Sequence, residues 1–220
     1  MNPRCVSAIL ASIAVASSLR ADTILEQPDT GLTGYASQDF PDFPTYSCSV
    51  FDDVTLTQAY NLTNLVVYGE NRQFGGSAAD IDVRLRIFTD ANLLGTPIAS
   101  VSGVDVDGVL SWNLAGITLG AGTYWLSAQV VRSFSEGDQW FWRASETANG
   151  AHAMWHNPGG GFGHGSDPVS TEVLGSQYWD MALKLEGDPV PAPGVLAIVG
   201  IGGLFGGRRR GRSVQVDATR

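Results

Sequence analysis

The chain has 220 residues, 44% of them hydrophobic, with 27 glycines, two cysteines and a formal net charge of −9. Its length suits one domain with a full core, and two cysteines exclude a disulfide-built scaffold. The acidic surplus repels phosphate backbones, so no nucleic-acid partner is expected.

Residues 1–21 read as a secretory signal peptide, with Arg4 near the start, an apolar stretch from Val6 to Val15 and small residues after it. Cleavage is expected after Ala16 or Ala21, and the run is too short to span a bilayer. Cys5 lies ahead of most of the apolar stretch, unlike a lipoprotein cysteine. Between the termini, residues 22–189 hold 21 acidic and six basic residues, a net of −15. The whole-chain value hides this because seven of the 13 arginines and lysines lie in the termini. Cys48 is the lone cysteine of this stretch and is expected to be a buried free thiol.

Residues 22–187 are expected to form an all-β domain, an antiparallel two-sheet sandwich with the jelly roll among its variants. Leu62 to Gly69 is a mostly apolar run, expected as a buried central strand. Asp80 to Ile87 alternates, with Ile81, Val83, Leu85 and Ile87 on one face and Asp82, Arg84 and Arg86 on the other. That period of two is what a sheet with one wet side requires. Ile98 to Val106 leads through Asp107-Gly108 into Val109 to Leu114, a hairpin signal. Gly120-Ala121-Gly122 then turns into Thr123 to Val131. Trp140 to Arg143, Ala151 to Trp155 and Tyr178 to Leu185 complete eight to ten expected strands.

Within this domain Trp140, Trp142 and Trp155 are the candidate ligand-binding residues. They flank a loop-rich region, and exposed coplanar indoles stack on sugar rings. The competing expectation is that they fill the core, as large aromatics usually do. Trp125, opposite Tyr124, Leu126, Ala128 and Val130, is the reserve candidate. His152 and His156 on one strand would lie roughly 13 Å apart, too far to share one ion, so no metal ligands are assigned. Asp80-Ile81-Asp82 and Asp105-Val106-Asp107-Gly108 echo fragments of calcium loops, but the 12-residue loop with its terminal glutamate is missing. Calcium is compatible with an acidic exported domain, without a complete motif; no other cofactor is expected. No Gly-x-Ser-x-Gly, His-Glu-x-x-His or phosphate-loop motif occurs, and no catalytic residue is assigned. Carboxylate pairs for glycoside hydrolysis cannot be singled out among so many acids.

After the domain, residues 188–194 form a Pro-rich linker containing Val190, Pro191, Ala192, Pro193 and Gly194. Residues 195–207 form an apolar run of 13, about 20 Å as a helix and short for a membrane span. Residues 208–220 are a basic cytoplasmic tail led by Arg208, Arg209, Arg210 and Arg212, which the positive-inside rule places on the cytoplasmic side. Pro-x-Pro, a short transmembrane helix and an arginine cluster resemble the PEP-CTERM sorting signal of Gram-negative-type bacteria. Ala192 stands where that family most often has glutamate, and Ser213 to Arg220 extend past the usual stop. The resemblance covers about 25 residues and implies handling by an exosortase-like transpeptidase. It further implies export, an inner-membrane intermediate held by the C-terminal helix, and delivery to the cell surface or extracellular matrix. The expected function is a non-catalytic protein of the envelope or matrix, binding polysaccharide, because such signals accompany exopolysaccharide production. The alternative is a secreted, glycosidase-like hydrolase.

Overall fold

Period-two patterning and glycine-marked turns yield an all-β domain. The computed structural model describes residues 21–73, 82–89, 95–136, 138–175, 178 and 180–191. Residues 1–20 of the expected signal segment, Ala192, Pro193 and Gly194 of the linker, the apolar run 195–207, the arginine cluster, Asp80 and Ile81 lie outside the described residues.

The chain opens with β1 (Asp22–Gln27), β2 (Tyr35–Ala36), β3 (Gln38–Asp39), β4 (Ser49–Leu56) and the long β5 (Tyr60–Gln73). Next come β6 (Asp82–Phe88), β7 (Ala99–Ser102), β8 (Val104–Val106), β9 (Val109–Asn113), β10 (Thr118–Leu119) and β11 (Gly122–Val131). After them follow β12 (Asp138–Trp142), β13 (Ala144–Ser145), β14 (Met154–His156), β15 (Val169–Ser170), β16 (Asp180–Met181) and β17 (Leu183–Pro189). The described residues contain no α-helix, only 3₁₀ turns at Pro44–Tyr46 and Phe134–Glu136. Accordingly, no helix among them is long and apolar enough to cross a membrane.

One sheet runs β1-β17-β5-β12-β2, with β9 and β10 also on β5 and β8 on β9. The other runs β15-β14-β4-β11-β6-β7. Strand β3 joins β11 in parallel, and the remaining described pairings are antiparallel. Leu62, Leu65, Val67, Leu183 and Leu185 of the first sheet share one buried cluster with Val83, Leu85, Ile87, Leu126, Ala128 and Val130 of the second. Burial of each such side chain contributes about 1.5–3 kcal/mol. The arrangement is sandwich-like, and its core lies between the sheets.

Several expected strands are found with changed limits. Residues 62–69 lie inside β5, which is paired along both edges as a central strand must be. The run 98–106 divides at Gly103: β7 pairs with β6 in one sheet, whereas β8 pairs with β9 in the other. The amide of Gly103 donates to Val83 O at 2.7 Å. A Cβ there would lie 2.4 Å from Trp112 Nε1, so only glycine permits this crossing. Asp107 and Gly108 both take positive φ (54° and 88°), the two-residue hairpin geometry that Asp-Gly favours. Residues 151–153 are not strand, and β14 starts only at Met154. The stretch 178–185 divides at Ala182, where β16 pairs with β13 and β17 turns to β1 and β5.

Candidate functional site

Trp140 and Trp142 are not a surface platform: both are 0% exposed. Their strand is paired to β5 and β2, and the alternation that puts them on one face turns that face inward. Trp140 Nε1 donates to Gly108 O and Trp142 Nε1 to Ala182 O, each at 2.9 Å, so even their polar atoms are satisfied inside. Gly69 has no Cβ because the Trp140 indole fills that space, 2.4 Å from where a Cβ would sit. Trp125 does face away from Leu126, Ala128 and Val130, but Phe51, Phe88 and Met154 cover it. Trp155 is also buried, with Nε1 donating to Ala36 O at 3.0 Å.

Among the described residues, the exposed aromatics are phenylalanines and a tyrosine on loops at one end of the sheets. A groove of about 290 Å³ is lined by Phe40, Phe43, Tyr46, Phe134, Gln139 and Phe162. Phe40 forms a buried floor, while Phe43 (48%), Tyr46 (43%), Phe134 (43%) and Phe162 (39%) stand exposed around it. The rings pack edge to face, with Phe134 touching Phe40 at 6.1 Å and Phe43 at 6.0 Å between centroids. Phe162 is held likewise between Tyr46 at 5.2 Å and Trp155 at 5.5 Å. Trp155 therefore adjoins the site from beneath, as support for Phe162.

Local sequence explains why these rings stay outside. Pro41 and Pro44 bracket Phe43 and cannot serve a strand interior, so the segment after β3 becomes a 3₁₀ turn. Asp42 fixes the second loop by accepting the N–H groups of Phe134 at 2.8 Å and Ser135 at 2.9 Å. Desolvation opposes these bonds, yet together they hold the Asp42 carboxyl below its ordinary value. Asn157 fixes the third loop. Its Nδ2 donates to Thr45 O and Ser47 O at 2.9 Å, and its Oδ1 accepts from Phe162 N at 3.1 Å. Gly159 and Gly161 let that loop close on the 3₁₀ turn, since a Cβ on either would meet Thr45 backbone at 2.5 and 2.7 Å.

A carboxylate cluster that sequence reasoning could not single out lies elsewhere. Asp52, Asp53 and Asp180 are buried together. Burial, then the charge of Asp180, raises the Asp52 carboxyl far above its ordinary value; burial also raises Asp53, and pushes Asp180 up to about 6. They are engaged internally: Asp52 accepts from Met181 N, Asp53 from Ala151 N, and Asp180 from Asn149 N and the Gln27 side-chain Nε2. None of them lines the groove. A general acid must reach its substrate, and these carboxyls are closed over by the loop around Gly150.

The histidines do not converge. His152 lies 3.8 Å from Glu172, His156 contacts Ser166 O at 3.0 Å, and His164 packs its edge on Trp155. No group of three or more His, Cys, Asp or Glu among the described residues is arranged to hold a metal ion. Asp105 caps its own turn through Gly108 N at 2.8 Å and approaches the buried Arg132 at 3.7 Å, so its role in the Asp-x-Asp-Gly segment is structural. Cys48 is buried and free, its thiol pushed up to about 12 by burial.

Neither the family models nor the curated proteins contain a match to this chain.

Proposed function

We propose that this chain is an exported, surface-sorted, non-catalytic binding module of the cell envelope or extracellular matrix, built as a β-sandwich and recognising carbohydrate through the Phe43–Tyr46–Phe134–Phe162 groove. One observation carries the binding reading: four aromatic rings stand 39–48% exposed on three loops fastened to a β scaffold. Although the rings pack edge to face on one another, each keeps over a third of its surface in water, on loops of the kind where binding residues concentrate. Ring faces of this kind accept the C–H faces of pyranose sugars.

The delivery part rests on the resemblance of residues 190–212 to a PEP-CTERM signal and on the leader at residues 1–21. It implies an exosortase-like partner and a transient inner-membrane stage in a Gram-negative-type bacterium. Replacing Arg208, Arg209, Arg210 and Arg212 by glutamine should missort the protein. Processing and surface delivery unchanged from wild type would remove this part of the reading.

A glycan array probed with the full chain, followed by product analysis on each hit, tests the activity. Binding without turnover, lost in Phe43→Ala and Phe162→Ala, is the expected result. Product formation would favour the alternative, a secreted hydrolase.

A further inference from the structure

Resting on the carbohydrate reading of the groove, we infer that its ligand is a neutral sugar carrying an acetamido group, an N-acetylhexosamine unit, and that Gln139 selects it. Charge comes first. None of the six lining residues is charged, and residues 22–189 carry a net of −15. A uronate or a phosphorylated sugar would enter against that field with no cation in the lining to receive it.

Chemistry of the lining narrows the class further. The accessible phenyl rings of the lining, Phe43, Phe134 and Phe162, offer nothing to a hydroxyl. A hydroxyl pressed there loses water without a partner, whereas a methyl gains by burial. Gln139 brings the one carboxamide to the groove, and no described residue holds that amide by a hydrogen bond. It keeps both donor and acceptor capacity for a ligand. An acetamido group unites the two demands, with its methyl on the exposed phenyl rings and its amide within the reach of Gln139. The pyranose C–H face then lies along the exposed rings. A volume of about 290 Å³ holds one such unit rather than a long oligosaccharide.

Titration calorimetry of the full chain with di-N-acetylchitobiose, cellobiose and digalacturonate tests this. We expect di-N-acetylchitobiose to bind roughly tenfold more tightly than cellobiose, from one methyl and one hydrogen bond, and digalacturonate not to bind. Gln139→Leu should retain the wild-type melting temperature and lose most of that preference, while Phe43→Ala and Phe162→Ala should weaken both neutral sugars. Cellobiose or digalacturonate binding as well as di-N-acetylchitobiose, through rings the two Phe variants disable, would overturn the acetamido inference and leave the groove its role. A preference unchanged in Gln139→Leu would also overturn it. No binding of any of the three, or binding indifferent to the Phe variants, would overturn the groove reading and the inference with it.

Discussion

Trp140 and Phe43 present opposite fates of an aromatic side chain, and truncation separates them. Trp140 fills the space beside Gly69 and bonds Gly108 O, so Trp140→Ala opens a cavity and orphans a carbonyl. The cost should be about 3–5 kcal/mol, seen as a fall in Tm on the order of 10 °C in a thermal melt. Phe43→Ala removes a ring that is half in water already, and its Tm should stay within a few degrees of wild type. A Phe43→Ala variant melting as low as Trp140→Ala would mean that the groove rings are core after all. Asn157 is the third case, a buried amide whose three hydrogen bonds join two groove loops. Asn157→Ala leaves Thr45 O, Ser47 O and Phe162 N without that partner, at about 1–3 kcal/mol. The loss should appear as faster amide exchange at Phe162 and Gly161; exchange unchanged at both would deny Asn157 its fastening role.

At the scale of elements, the loop joining β13 to β14 is fastened through Asn149 N and Ala151 N to two buried carboxyls. The folded-state value of Asp180, about 6, lies above its ordinary 3.8. The folded protein therefore binds this proton more tightly than the unfolded chain does. The resulting stability is fully present below pH 3.8 and is lost as pH rises through about 6. Asp52 and Asp53 are raised in the same direction, whereas burial lowers His156 and works oppositely below its ordinary 6.5. Asp180→Asn removes the titrating carboxyl while keeping an acceptor for Asn149 and Gln27. Its Tm should exceed that of wild type at pH 7.5 and approach it at pH 4; a constant difference across that range would contradict the account. Strand β6 was legible because Val83, Leu85 and Ile87 face the core while Asp82, Arg84 and Arg86 face away from it, and alternation records that directly. The division of the run 98–106 was not, because Val101, Val104 and Val106 look alike in sequence whichever sheet receives them. Gly103 was the available signal. The candidate site was misread for a related reason. Trp140 and Trp142 lie in a paired strand that must bury one face, whereas Phe43 sits between Pro41 and Pro44, where no strand can take its ring inward. Proline bracketing marks Phe43 alone; Phe134 and Phe162 carry no such mark, and their placement follows from loops fastened by Asp42 and Asn157.

At the scale of the domain, the groove and the two ends of the described strands, Asp22 and Pro189, lie toward opposite ends of β5. Strand β1 begins at Asp22 opposite Gly187, and β17 ends with Pro189 opposite Tyr60, followed by Val190 N bonding Ala59 O at 2.9 Å. Both ends of the domain thus leave beside the start of β5. Gln139 of the groove pairs with Arg72, near the other end of that same strand. Twelve residues of β strand span on the order of 40 Å. A domain held at a surface through residues beyond 190 would consequently present its groove outward, away from the point of attachment. The distance is measurable without any ligand. Spin labels on Ser135→Cys, beside Phe134, and on Pro191→Cys, in a Cys5→Ser background, should give a separation near 40 Å by electron–electron resonance. Cys48 does not interfere, since its thiol is buried and pushed up to about 12. On intact cells the Ser135→Cys position should react with a membrane-impermeant maleimide while the tail remains in place. A separation below about 25 Å, too short for the extended length of β5, would refute the polar arrangement. A Ser135→Cys thiol shielded on cells would show the groove turned toward the surface instead.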